Sequence, residues 1–120
     1  MADSSYNHFL IEDRSVAIVL TLVDPKLFDT LLVAELDDEL IAYVDGLQPH
    51  HLVINFRRVT QCSTAVINSV LRAKKRLVAR NGAVKLCGMN DAIRSAYRML
   101  NLDGTVFNIY DDVEAAIAAF

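Results

Sequence analysis

The sequence predicts an α/β protein, with a mostly parallel sheet of four to five strands and about four covering helices. Compact apolar runs alternate with stretches of helical spacing four times within 120 residues. Parallel neighbours need crossovers of about this length, and the crossovers are expected to be right-handed. Hydrophobic residues make up 53% and charged residues 22%, a globular balance. The length suits one domain spanning residues 1–120.

The elements follow in order. Phe9 to Glu12 is a short strand, Asp13-Arg14-Ser15 a turn, and Val16 to Val23 a second strand broken by Asp24-Pro25-Lys26. Helical spacing begins near Thr30: Leu32, Leu36, Leu40, Val44 and Leu47 form one stripe, with Glu35, Asp38, Glu39 and Asp45 outward. Gly46 and Pro49 bracket its end. Leu52-Val53-Ile54 is rich in β-branched residues and suits a strand covered on both faces. Asn55 to Cys62 loses periodicity, with Val59 its buried member. From Ala65 the spacing turns helical through Val66, Val70, Ala73 and Leu77, widened by Ile67, Leu71 and Val78. Ser63 or Thr64 is the natural N-cap, and Asn81-Gly82 ends the helix.

Ala83 to Cys87, bounded by Gly82 and Gly88, is a fourth strand. Asn90 or Asp91 caps a third helix carrying Ile93, Ala96, Tyr97 and Leu100 inward and Arg94 and Arg98 outward. Val106 to Tyr110 is the last strand. Asp111-x-x-Glu114 then forms a capping box, with Val113, Ala116, Ile117 and Phe120 as the inner face of the last helix.

Composition excludes several function classes. The net charge of −3 gives no general attraction to nucleic acid. Arg72, Lys74, Lys75, Arg76 and Arg80 cluster on one helix, with Arg57 and Arg58 shortly before it. A solvated face is the ordinary explanation and a docking surface for an acidic protein the sharper one; no aromatic residues interleave to stack bases. No apolar stretch has membrane-span length, so no membrane partner is expected. Met1 to Asn7 carries no secretory pattern, which makes cytoplasmic residence the expectation. Cys62 and Cys87 fit small buried thiols, and they could approach one another across parallel strands.

No convergent catalytic set can be assembled, so the chain reads as a non-enzyme with no cofactor. His8 falls in the polar N-terminus. His50 and His51 lie at the opposite end of a strand from Ser63 and Thr64, and adjacent residues of an extended chain point apart, against a shared metal. Gly82 and Gly88 flank a strand and make no P-loop.

The stretch from Val53 to Leu71 resembles the signature of STAS domains, the fold of bacterial anti-sigma factor antagonists. Asn55-Phe56-Arg57-Arg58-Val59 aligns with D-L-S-x-V, and Ser63-Thr64-Ala65-Val66-Ile67-Asn68 with D-S-x-G-L-G. Leu71 to Leu77 is similar to the family's leucine and basic pattern. Arg94, Leu100 and Leu102 match its next helix, and Val106 to Ala116 its last strand and helix. Asn55 and Ser63 stand where the pattern has Asp, and Val66 and Asn68 replace its glycines.

The resemblance implies a small STAS-like fold and a partner switch. Thr64 takes the phosphoacceptor position, with Ser63 the alternative. Arg57, Arg58, Ser63, Thr64, Ala65, Ile67, Asn68 and Met89 are the candidate partner-binding residues. The implied partner is an anti-sigma factor that is also a Ser/Thr protein kinase. A non-phosphorylated scaffold or ligand-sensing assembly module is the alternative, and it implies stable homo-oligomers or larger particles; for the partner switch a weak homo-oligomer is left open.

Overall fold

A computed structural model describes residues 6–120; Met1 to Ser5 of the polar N-terminus lie outside the described residues. The elements are β1 Phe9–Asp13, β2 Ile18–Leu22, β3 Lys26–Leu27, α1 Thr30–Leu47, β4 His51–Asn55 and β5 Gln61–Cys62. They continue with α2 Thr64–Val78, β6 Ala83–Cys87, α3 Asp91–Met99, β7 Ile109–Tyr110 and α4 Val113–Ala118. Five strands form one sheet in the order β1-β2-β4-β6-β7, and β3 pairs with β5 in a separate two-stranded sheet.

β1 and β2 form an antiparallel hairpin, whose turn puts Ser15 at φ 67° and lets Asp13 accept from the Ser15 amide at 2.9 Å. Every other pairing in the main sheet is parallel. Side-chain alternation divides the core. Leu20, Leu22, Leu52, Ile54, Val84 and Leu86 face the larger cluster with α1, α2 and α3. Val19, Val53 and Cys87 face the opposite side, where Ala116 of α4 closes a smaller one. Burial on both faces accounts for the unbroken apolar run of β4.

Several boundaries differ from the sequence reading. The α1 stripe stops short of the helix end: Val33, Leu36, Leu40, Tyr43 and Val44 are buried, whereas Leu47 is exposed beside the left-handed cap residue Gln48. By helical geometry Leu47 lies on the same face as Leu36 and Leu40, and its exposure comes from its place as the last residue of the helix. Leu100 is likewise exposed, as the C-cap of α3. The predicted strand from Val106 shrinks to Ile109–Tyr110, because Val106 and Phe107 turn back to donate to Leu102. Asp112, not Asp111, caps α4, accepting from the Ala115 amide at 2.8 Å. Glu114 does not close a box; it takes the Arg14 guanidinium at 2.8 Å.

The histidines also depart from expectation. His50 precedes the strand, so its ring does not alternate away from His51: the two centroids are 4.7 Å apart, and His51 stacks on Phe120 at 4.5 Å. His8 is buried. It bridges Asp24 of the β2–β3 turn at 2.7 Å and Glu35 of α1 at 3.2 Å, while Glu39 accepts from the His8 amide at 3.0 Å. Burial disfavours its charge, but the hydrogen bonds that its ring donates to Asp24 and Glu35 and the nearby negative charge outweigh that, and its pKa is raised.

Candidate functional site

Because β2, β4 and β6 run parallel, their carboxyl ends lie together at one edge of the sheet. Asn55 ends β4 there and is buried. Its side chain donates to Thr21 Oγ1 at 3.3 Å and accepts from the Arg57 amide at 3.1 Å. Gly88 closes over this contact at φ 75°. A Cβ on Gly88 would lie 2.6 Å from Asn55 Oδ1 and 2.9 Å from the Arg57 nitrogen, so this approach requires glycine. The chain thereby turns out of the sheet and exposes Arg57 and Arg58, neither in an ion pair among the described residues.

From that loop the chain enters α2. Thr60 and Gln61 donate to the Pro25 carbonyl at 2.7 and 3.1 Å, and Ser63 donates to the Leu27 carbonyl at 2.8 Å. These bonds fix the helix entry against β3. Ser63 has the extended backbone of an N-cap, and Thr64 is the first helical residue. Asp29, Asn90 and Asp112 cap α1, α3 and α4 through their side chains, but the Ser63 side chain makes no capping bond. The first turn of α2 carries no acid either. Its amide donors and the positive end of its dipole meet no side-chain anion of the helix itself.

Of the eight candidate partner-binding residues, Arg57, Arg58, Thr64, Ala65 and Asn68 are exposed, and Ser63 and Met89 are half-buried. Ile67 is 4% exposed and packs into the core, which removes it from any outer surface. The structure therefore corrects that assignment: the apolar stripe of α2 is wider than two residues per turn, and Ile67 belongs to it. Val66, at a position where the resembled pattern has glycine, is also core, whereas Asn68 replaces the other glycine on the outside.

A groove of about 420 Å³ runs beside Ser63 and Thr64, between the starts of α1 and α2, and is walled by Phe28, Ala34, Asp37 and Arg72. Phe28 is 54% and Leu31 69% exposed. The sequence reading missed both, although neither falls on the α1 stripe, and a large apolar residue off the buried stripe is the signal that finds them. Asp37 takes the Arg72 guanidinium. Burial would raise its pKa, but the hydrogen bonds from Arg72 and Ser69 and the charges of Arg72 and Arg76 prevail and lower it.

The basic stretch of α2 is neither an idle face nor an open patch. Arg76 pairs with Asp45 at 3.0 Å, Arg80 donates to the Val44 carbonyl at 3.1 Å, and Lys74 reaches the Val106 carbonyl across the Phe107 ring. These side chains tie α2 to α1 and to the loop after α3. The cysteines are separate free thiols, and burial pushes each up to about 12. No helix among the described residues is long and apolar enough to cross a membrane.

Fold and site together define a small α/β domain that presents a hydroxyl-bearing helix start and two exposed arginines at the carboxyl edge of its sheet. The sequence matches the STAS domain family over residues 10–116, and the chain belongs to that family. No curated protein matches it. Among solved structures it is similar to the STAS-domain anti-sigma factor antagonist of Planctomyces limnophilus (18% identity, 92% of this chain and 96% of that one, TM-score 0.81). An anti-sigma factor antagonist of Mycobacterium paratuberculosis is 19% identical, with 99% and 97% covered and TM-score 0.78. The phosphorylated form of the Bacillus cell fate determinant SpoIIAA is 19% identical, with 92% and 97% covered and TM-score 0.69. At these identities the likeness establishes the fold.

Proposed function

We propose that this protein is an anti-sigma factor antagonist that docks onto an anti-sigma kinase and is released by phosphorylation of Thr64. The observation that carries the reading is the setting of Thr64: exposed, first in α2, above amide donors that no side chain caps. A phosphate there adds about −1.5 to −2 charges at neutral pH, which a helix N-terminus accommodates. The domain keeps its fold, and the cost falls on the interface, where a hydrated dianion has to be stripped of water against the partner. Arg57 and Arg58 supply positive charge to that interface, and Phe28 and Leu31 supply apolar area.

A coupling of about 3 kcal/mol corresponds to roughly a hundredfold loss of affinity. Thr64→Glu is therefore expected to bind the anti-sigma kinase about a hundredfold more weakly than Thr64→Ala, with nearly the same melting temperature. Equal affinities would remove the switch. Phosphosite mapping after incubation with the kinase and ATP would move the acceptor to Ser63 if only that residue were labelled.

A second reading has its own support in Asn55 and Ser63, which replace the two acids of the resembled pattern. It makes the chain a non-phosphorylated STAS scaffold that assembles through the same surface. Light scattering separates the two: the switch predicts monomers or weak dimers, the scaffold large stable particles that accept no phosphate.

A further inference from the structure

The two longest helices segregate charge by sign. α1 carries Glu35, Asp37, Asp38, Glu39 and Asp45 and no lysine or arginine, whereas α2 carries Arg72, Lys74, Lys75 and Arg76 and no acid. The helices lie side by side over one face of the sheet, and part of the charge is matched where they touch. Arg72 takes Asp37 and Arg76 takes Asp45, while Glu35 and Glu39 turn to His8. Asp38 and Lys75 are left over. Both are exposed, and neither forms an ion pair among the described residues.

Each leftover charge stands in an apolar setting. On α1, Leu31, Ala34, Glu35, Asp38 and Ala42 are all exposed, and their spacing of three and four places them on one outward stripe. On α2, Lys75 borders a groove of about 400 Å³ lined also by Leu71, Lys74, Val78, Ala79 and Val106. Val78 is 52% exposed, and the Lys74 ammonium is drawn to the Val106 carbonyl. The groove is therefore aliphatic apart from two ammonium groups at its rim. It fits a helix that offers small and aliphatic residues between carboxylates, and the outer stripe of α1 is such a helix. Within one chain the two cannot meet, because α1 packs against the Arg72–Arg76 flank of α2, away from Leu71, Lys74 and Val78.

We propose that this protein pairs with a second copy of itself, the outer stripe of α1 on each copy seated in the α2 groove of the other, with Asp38 meeting Lys75. Both patches look out from the same helical layer, so a two-fold axis satisfies both contacts at once and the assembly closes as a dimer. Leu31 is covered in that dimer. It also belongs to the surface offered to the anti-sigma kinase, so dimerisation withholds that surface from the partner. The pairing itself requires no phosphate on Thr64.

The test is sedimentation velocity of the full chain from micromolar to millimolar concentration, at low and high salt. Neither kinase nor ATP is present, so failure here leaves the Thr64 switch standing. Wild type is expected to pass from monomer to dimer and no further, and to return toward monomer in high salt. Lys75→Glu and Asp38→Lys each replace two attractive contacts with two repulsive ones and should weaken dimerisation about tenfold. Both positions are exposed, and the melting temperature should stay close to that of wild type. The double variant Asp38→Lys/Lys75→Glu restores opposite charges across the two-fold axis and should recover wild-type association. Arg14→Glu makes the same change in net charge but lies beside Glu114 of α4, on the other face of the sheet, and should dimerise like wild type. A chain that stays monomeric at millimolar concentration overturns the proposal. So does a double variant as weak as the single ones, or an Arg14→Glu variant as weak as Lys75→Glu.

Discussion

Three glycines allow the contact beneath the candidate site to be measured against its own controls. Gly46 has ordinary helical geometry, and a Cβ there meets nothing within 4 Å. Gly104 has φ 82° with the same open surroundings, so alanine there carries the backbone cost alone. Gly88 has φ 75° and in addition the 2.6 Å approach to Asn55 Oδ1 and the 2.9 Å approach to the Arg57 nitrogen. Gly46→Ala should stabilise by about 0.5–1 kcal/mol through helix propensity. Gly104→Ala should cost about 1–2 kcal/mol, the penalty of a left-handed L-residue. Gly88→Ala carries that penalty and also separates Asn55 from the Arg57 amide, which adds about 1–3 kcal/mol for a buried group left unpaired. The sum, about 2–5 kcal/mol, is a large part of a typical domain's stability. With a urea slope of about 2 kcal/mol per molar, the midpoint should fall by about 1–2.5 M. Amide exchange at Arg57 should accelerate selectively in Gly88→Ala. If Gly88→Ala costs no more than Gly104→Ala, the close approach contributes nothing, and the argument that this glycine shapes the Arg57–Arg58 loop fails.

Three further outcomes bear on other parts of the structure. Because the His8 pKa is raised, its stabilisation is fully present below about 6.5 and is lost as pH rises through the folded-state value. The urea-midpoint difference between wild type and His8→Gln should thus be larger at pH 6 than at pH 8.5, and an equal difference would mean that the bridge to Asp24 and Glu35 carries no charge. Asp112→Ala should lose about 1 kcal/mol with the α4 cap, whereas Asp111→Ala, whose side chain is 95% exposed, should change the melting temperature little; the reverse order would restore the cap to Asp111. With both thiols held up to about 12, iodoacetamide at pH 8 should label Cys62 and Cys87 slowly in the native protein and rapidly in urea. Prompt native labelling of Cys62, which is half-buried, would contradict its raised pKa.

The architecture was legible because its signals are local and repeated. Leu52-Val53-Ile54 reads as a doubly covered strand from three residues, and α2 reads from Val66, Val70, Ala73 and Leu77, all buried. What escaped depends on partners far away in the chain. His8 looks like part of a polar terminus until Glu35 and Glu39 arrive from α1. The two-residue pairing of β3 with β5 has no sequence pattern, since it is set by where Pro25 and Gln61 meet. The basic run of α2 resembled a surface patch because its partners Asp37, Asp45 and Val106 lie about thirty residues away in either direction. Ile67 reads both as widening the α2 stripe and as a partner-binding residue, and its burial decides for the stripe.

Those bonds from the basic run bear on how α2 could carry a switch. Its second half is held by Arg72 to Asp37, Lys74 to Val106 and Arg76 to Asp45, and the turn after it by Arg80 to Val44. Its first turn has neither side-chain cap nor acid, and Thr64 stands exposed on it. A helix anchored at its far end and open at its start can accept an anion without shifting on the sheet. The response to charge then stays local, in the surface that a partner reads. This separates the proposed switch from mechanisms that require an order–disorder step. Amide exchange along Val70 to Leu77 should accordingly be the same in Thr64→Glu and wild type, while exchange at Thr64 and Ala65 slows as the new carboxylate meets the first amide donors of the helix. Faster exchange through Val70 to Leu77 would show that charge at Thr64 loosens the helix, and the interface would no longer be the seat of regulation.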